Sequence, residues 1–569
     1  MKLRHLLTGA AIAALIATTG GAPAFAERGA DGQVNLLYWQ AVSIMTPYLS
    51  NGTKDLQAAS LVIEPLARYN EKGDLEPFLV EDIPTVENGG VSKDLLTITW
   101  KLKEGLLWSD GTPVTADDAV FTWQYCTHPD GGCAQISNFS DVTNVEAVDP
   151  RTIRITFGVP KPFPYGPLVG GQAPLIQKAQ FADCLGPKAP ECTKANTYPI
   201  GTGPFRVVDF KANDVVTLEA NPNYRDPSKP AFATAVIKGG GDPASAARSV
   251  LETGEYDFAW NTQVEPEILA QMAAAGKGQI LSAFGTLLER LQVNQTDPDP
   301  ALGAERSTVA HPHPFLTDER VVKALSLAID REILVETGYG EAGRATCNFI
   351  PAPDLNVSPN NDWCLKQDME GAKKLLDEAG WTEGSDGVRE KDGRKLSILY
   401  QTSTNSVRQA AQALIKQWWN EIGVEVELRN IDGSVFFGSD PGSPDTLQKF
   451  FADVEMYANE FDGTDPEKYL GEWTCGEIPG PDTQWQGGNT SRWCNADFDA
   501  ALAELAKTAG LDGRAKVIIK ANDLIVNSPA VIPLVHRGRL SAAVNSLAGV
   551  KMNAWDSELW NAADWYRAK

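Results

Sequence analysis

The apolar pattern of this chain switches period repeatedly, and that alternation limits the fold more than any single motif. Residues 34–39, 95–103, 152–157, 205–210, 215–218, 396–400 and 424–428 read as strands, by apolar runs or in–out alternation. Between and after them, residues 266–275, 317–333, 368–380, 405–422, 498–507 and 514–526 read as helices. Thr115 and Asp118 form a capping box that starts another helix, running to about Tyr125. Asp368 caps a helix start, and Gly423 stands where a helix must end. Residues 56–69 are helical in pattern but broken by Pro65. Strands and helices alternating over 569 residues predict an α/β protein of two or three lobes with sizeable cores.

The N-terminus predicts the compartment. Lys2, Arg4 and His5 precede an apolar run from Leu6 to Ala17, then a small-residue tail ending at Ala24, Phe25 and Ala26. This is the layout of an export signal, with cleavage expected after Ala26 and residues 1–26 removed. The apolar run is short of the ~20 residues a membrane span needs. The eight cysteines fit an oxidising compartment: they fall as neighbours along the chain, Cys126 with Cys133, Cys184 with Cys192, Cys347 with Cys364, and Cys475 with Cys494. Eight cysteines allow ~105 pairings, so the neighbour scheme rests on proximity. A metal site is the other reading of these cysteines, but no Cys-x-x-Cys occurs.

Charge narrows the partners. Fifty basic residues face 74 acidic ones, a net charge of -24, and such a surface repels nucleic acid and anionic membranes. Catalytic motifs are absent: no Gly-x-Ser-x-Gly, no His-Glu-x-x-His and no phosphate loop with its lysine. His311-Pro312-His313 reads as a solvated loop. Glu460, Asp462, Asp465 and Glu467 lie close together, but neighbours on a loop rarely make the opposed carboxylate pair of a glycosidase. The motifs favour a binder over an enzyme, with no cofactor.

One segment carries more. Residues 100–120, WKLKEGLLWSDGTPVTADDAV, resemble the signature of family 5 extracellular solute-binding proteins of ABC importers, the oligopeptide- and dipeptide-binding family. Residues 200–205 (IGTGPF) and 218–224 (LEANPNY), then 318–331 (DERVVKALSLAIDR), 372–381 (AKKLLDEAGW) and 415–426 resemble its later blocks in order. The resemblance implies a two-lobed periplasmic binding-protein fold, type II and cluster C-like, with an extra third domain and a hinge of two crossing strands. Carried onto this chain it implies a first lobe from residues 27–63, 198–285 and 529–569. The small extra domain is 64–197 and the opposite lobe 286–528. The crossing strands fall near 288–295 and 531–540.

It also implies a ligand closed between the lobes, with peptide the leading class and the membrane permease of an importer as partner to a monomeric receptor. Peptide-binding members use backbone hydrogen bonds and one acidic side chain for the ligand's α-ammonium. In EMYANEFDGTDPEKYL, residues 455–470, Glu460 takes that acidic position, with Tyr457, Ala458 and Asn459 before it. Glu for the family's Asp, and an extra Gly463-Thr464, depart from the pattern. Tyr38, Trp39, Gln40 and Ala41 match the strand end that faces the cleft, Trp260 and Asn261 hold a similar place, and Trp473 is expected at the rim. An oligosaccharide ligand is the alternative, suggested by Trp418, Trp419, Trp473, Trp485 and Trp493. A secreted hydrolase is the alternative from another class.

Overall fold

The computed structural model describes residues 27–438 and 440–568. The expected export signal, residues 1–26, lies outside the described residues.

Two large sheets organise the molecule. The first runs in the order Gly278–Ala283, Arg539–Val544, Phe258–Trp260, Gln33–Tyr38, Thr234–Gly239, Val215–Ala220, Phe205–Lys211. Gln33–Tyr38 lies parallel to both neighbours, with Leu36 opposite Phe258 and Gln33 opposite Thr234. Its alternation is that of a strand with one dry face, as Val34, Leu36 and Tyr38 enter the core beside Leu218, Ile237 and Trp260. The second sheet runs Gly343–Ala345, Val531–Arg537, Leu288–Val293, Val454–Asn459, Ser397–Ser403, Glu425–Ile431. Its last three strands are parallel.

The chain passes between the sheets twice. Gly278–Ala283 leads through residues 284–287 into Leu288–Val293, and Val531–Arg537 leads through Gly538 alone into Arg539–Val544. These strands are antiparallel neighbours in both sheets, so the two crossings run side by side. A lobe boundary at 528/529 would put Val531–Arg537 in the first lobe; that strand pairs with Leu288–Val293 and Gly343–Ala345 in the second sheet.

A smaller unit stands on the strands Thr97–Lys101, Thr152–Phe157 and Val142–Asp149, with the helix Ala116–Cys126 against them. Its core holds Ile98, Trp100, Trp108, Phe121, Tyr125, Ile153 and Ile155. The diagnostic turn is structural: Asp110 Oδ1 accepts the Thr112 N–H at 2.9 Å, and Asp118 Oδ2 accepts the Thr115 N–H at 2.9 Å.

Helix ends follow their caps. Asp368 accepts from the Gly371 N–H, Asn405 from the Arg408 N–H, and Gly423 takes φ 84° after the helix Ser406–Glu421. The single helix expected over 317–333 is two, Glu319–Leu327 and Arg331–Gly338, because Asp330 caps a new start by accepting the Ile333 N–H at 3.1 Å. Residues 56–69 divide into the end of the helix Thr53–Ala59 and the strand Ala67–Tyr69, since Pro65 cannot continue a helix and biases Glu64 toward extended backbone. Arg331 is buried and donates to the carbonyls of Pro533 at 2.9 Å, Ser326 at 3.0 Å and Cys364 at 2.9 Å. Burial pushes its guanidinium down to about 9.

The cysteines pair as sequence neighbours: Cys126–Cys133, Cys184–Cys192, Cys347–Cys364 and Cys475–Cys494. Among the described residues no group of three or more His, Cys, Asp or Glu is arranged to hold a metal ion. No described helix is long and apolar enough to cross a membrane. The loop reading of His311-Pro312-His313 needs correction at His313, which is buried, lies 2.9 Å from Asp453 Oδ1 and packs edge-on against Phe315.

Candidate functional site

A cavity with about 780 Å³ of atom-free space opens between the two large lobes. Gln33–Tyr38 and Phe258–Trp260 end at its first-lobe wall, which holds Gln40, Trp260 and Asn261. On the far side Ser397–Ser403 leads to Arg408, Glu425–Ile431 to Phe437, and Val454–Asn459 to Glu460. The site therefore lies at the carboxyl ends of the parallel strands of both sheets, where open α/β sheets place their ligands.

The strand Val454–Asn459 supplies an open edge. It pairs with Leu288–Val293 along its whole length, but with Ser397–Ser403 only from Val454 to Met456. Tyr457, Ala458 and Asn459 thus have a strand partner on one side alone, and all three line the cavity. An extended segment of another molecule can add to such an edge. The Tyr457 hydroxyl is fixed by Thr490 Oγ1 at 3.0 Å and by the amide of Gln292 at 3.1 Å.

Buried charges surround this edge and most are paired. Glu289 accepts from Arg408 Nε at 2.8 Å and from Arg537 Nη1 at 3.2 Å. Burial pushes the Glu289 carboxyl up, but the two guanidinium groups outweigh it and hold the group below its ordinary range. Arg537 also donates to Asn261 Oδ1 at 2.8 Å, which joins the two lobes. Arg539 Nε donates to Glu460 Oε2 at 2.6 Å, and Arg539 also holds the carbonyls of Asn553 and Asp556. Glu558 accepts from Ser541 Oγ at 2.5 Å, and burial pushes its carboxyl up to about 7. Two buried donors on the wall, Trp260 Nε1 and Arg537 Nε, have no partner among the described residues. Such donors suit a ligand that brings acceptors.

The sequence-derived candidates divide in two. Gln40, Trp260, Asn261, Tyr457, Ala458, Asn459 and Glu460 line the cavity. Tyr38 lies beneath it, buried and stacked on Trp260 at 4.8 Å between ring centroids. Trp39 and Ala41 make the contact between lobes instead. Within the first lobe Trp39 Nε1 donates to the Asn261 carbonyl at 2.8 Å, which sets its ring against Gly433 of the opposite lobe, and across the cleft the Ala41 N–H donates to Ser434 Oγ at 3.0 Å. Gly433 allows this close approach, since an added Cβ would stand 3.0 Å from the Trp39 ring and the ring would have to shift. Trp473 is not at the rim: it is packed in a core beside Phe349, with Arg290 over its ring. Trp418 and Trp419 sit in the second-sheet core, Trp493 in the same core as Trp473, and Trp485 against Phe451, so the tryptophans that suggested sugar stacking are spent on packing. Asp465 and Glu467 both clamp Arg514, at 2.6 and 2.7 Å, away from the cavity.

Sequence reasoning missed Arg408, Arg537, Arg539, Glu472 and Glu558. A signal existed for two of them. Arg537 and Arg539 interrupt the apolar run VIPLVHRGRLSAAV, and charge inside a buried strand requires a buried partner or a ligand.

Comparison with known proteins agrees with this geometry. The family model described as "Bacterial extracellular solute-binding proteins, family 5 Middle" matches residues 74–481. The periplasmic oligopeptide-binding protein OppA of Salmonella typhimurium is 24% identical over 563 residues, covering 94% of this chain and 93% of its own. The oligopeptide-binding protein AppA of Bacillus subtilis, solved with a nonapeptide, superposes with TM-score 0.80 at 21% identity over 95% of this chain and 100% of its own. NikZ of Campylobacter jejuni, solved with Ni(L-His), gives 0.77 at 23% identity over 95% and 100%. The shared fold thus spans ligands of different chemistry.

Proposed function

The chain belongs to family 5 of the bacterial extracellular solute-binding proteins, and from that premise we propose that it captures peptides between its two lobes and delivers them to the permease of an ABC importer. The observation that carries the peptide reading is the open strand edge at Tyr457, Ala458 and Asn459, bordering the cavity and ending at a carboxylate. A peptide main chain supplies N–H and C=O groups at the spacing of such an edge, whereas the hydroxyls of a sugar do not follow that spacing. The relatives whose names state peptide binding support the same reading.

In this reading Glu460 receives the ligand's α-ammonium on Oε1, while Arg539 holds Oε2 and fixes the rotamer. Trp260 Nε1 and Arg537 Nε meet ligand carbonyls. The crossings at residues 284–287 and Gly538 act as the hinge. The first lobe comprises residues 27–63, 198–285 and 539–569, the small domain 64–197, and the opposite lobe 286–537. Closure shifts a pre-existing equilibrium through contacts made only when the lobes meet, such as Ala41 to Ser434. The protein works as a monomer in the periplasm after cleavage following Ala26, and binds without turnover.

The test is mass spectrometry of what is released when natively purified protein is denatured. Peptides are expected. Released glycans, or a metal chelate in place of peptide, would overturn the reading.

A further inference from the structure

We propose that Glu472 makes the cleft selective for peptides with a basic side chain. The inference rests on the peptide reading above and adds to it a second, separate cation site. Glu472 is half-buried and lines the cavity, yet among the described residues its carboxylate accepts no hydrogen bond and forms no ion pair. The other acids of the wall are engaged, Glu460 with Arg539 and Glu558 with Ser541, and Glu289 behind the wall is paired with two arginines.

Its surroundings do not supply the missing partner. Lys468 and Arg290 attract the carboxylate from beyond ion-pair distance, while Glu477 and Asp462 repel it. Arg290 is held elsewhere, with its guanidinium 5.1–5.5 Å from the ring centroids of Tyr457, Trp473 and Phe349 and Nε bonded to Gln292; its Nη1 has no partner among the described residues and forms no ion pair with Glu472. Burial pushes the Glu472 carboxyl up to about 8. Ionised and alone in this position it is unfavourable, and an arriving ammonium or guanidinium removes the penalty.

Gly488 abuts the stem of the Glu472 side chain so closely that an added Cβ would stand 2.6 Å from the Glu472 Cβ. Glu472 also belongs to a different element from Glu460. It caps the end of the helix Glu467–Gly471, whereas Glu460 follows the open-edge strand. A peptide whose main chain adds to that strand sends alternate side chains to opposite faces of the sheet, and Glu472 meets one of them.

The test uses ligand-stripped full-length protein and position-scanned tripeptide and tetrapeptide libraries containing equimolar Lys, Arg, norleucine and Glu at the scanned position. Retained peptides are quantified by mass spectrometry. Wild type is expected to enrich Lys and Arg over norleucine about tenfold at one position, equivalent to ~1.4 kcal/mol. Glu472→Gln should reduce this to about twofold or less, with Glu472→Asp between. The enrichment should persist in N-acetylated libraries. An enrichment that vanishes on acetylation assigns Glu472 to the α-ammonium and overturns the inference. Peptides retained without basic preference overturn it and leave the peptide reading standing. No retained peptide removes both. Glu472→Gln should melt no lower than wild type, so a lost preference cannot be ascribed to misfolding.

Discussion

Arg539 Nε lies 2.6 Å from Glu460 Oε2, and both side chains are buried. The pair ties a strand of the first sheet to the end of the open-edge strand of the second. Two effects of removing Glu460 must therefore be separated. Glu460→Ala leaves a buried guanidinium unpaired and should lower the stability of ligand-free protein by about 3–5 kcal/mol. It should also weaken binding of a free-amine peptide by about 2–5 kcal/mol. Calorimetric titration of wild type and Glu460→Ala with free and N-acetylated peptide forms a cycle. The two losses should overlap, and simple addition would show that Glu460 does not hold the amine.

Contact between the lobes depends on Gly433. A side chain there meets the Trp39 ring and spoils the approach that lets the Ala41 N–H reach Ser434 Oγ. Gly433→Val should weaken peptide binding by about 1–3 kcal/mol, the range for overpacking. Small-angle scattering should show a radius of gyration at saturating peptide that stays larger than that of liganded wild type.

Glu558 gives stability a pH dependence of definite sign. Burial raises its carboxyl from about 4.5 to about 7, Ser541 and the nearby guanidinium groups offsetting only part of that effect. The folded protein then holds a proton that the unfolded chain has released between those values. Stability is full below about 4.5 and falls as pH rises through about 7, by about 3 kcal/mol at most from this group. Melting temperatures measured from pH 5 to pH 8 should fall less steeply in Glu558→Gln than in wild type.

Arg331 should prove structural. It is buried among carbonyls with no carboxylate bonded to it, so Arg331→Met strands those acceptors while roughly filling the space. A loss of about 2–4 kcal/mol in denaturant unfolding is expected. Peptide affinity at a temperature where the variant is folded should be unchanged.

The bridge Cys475–Cys494 closes the segment that brings Gly487 and Gly488 to the cavity, while Cys184–Cys192 lies in the small domain and its loop contributes no residue to the cavity wall. Replacing either pair with serine should cost about 2–3 kcal/mol of stability. Only loss of Cys475–Cys494 should also weaken peptide binding, as read by titration below the melting range.

Local chemistry made much of this fold legible. Asp368, Asn405 and the Thr115/Asp118 box each mark a helix start through short-range hydrogen bonds that any sequence window contains. What stayed hidden depends on residues far apart in the chain. Gln33–Tyr38 becomes a central strand only because residues 234–239 and 258–260 arrive on either side. Trp473 could stand at a rim or in a core on its sequence alone; Phe349 and Arg290, from elsewhere in the chain, put it in the core. The cleft residues found from the sequence lie at strand ends that the resemblance covers. Glu472 lies in a segment that the pattern does not describe, and nothing local marks its carboxylate as unpaired.

Gly538 separates two arginines that face one cavity, and it is also the single residue between a strand of one sheet and a strand of the other. Under the proposed function, sensor and pivot are thus one tripeptide. A force exerted by a bound molecule on Arg537 or Arg539 acts on the joint with almost no lever arm, and no relay of intervening side chains is required. The same economy constrains sequence drift. A change that retunes what these arginines hold also changes the resting angle of the lobes, so new ligand preferences are free to arise on the walls, at positions such as Glu472, while Arg537-Gly538-Arg539 stays fixed.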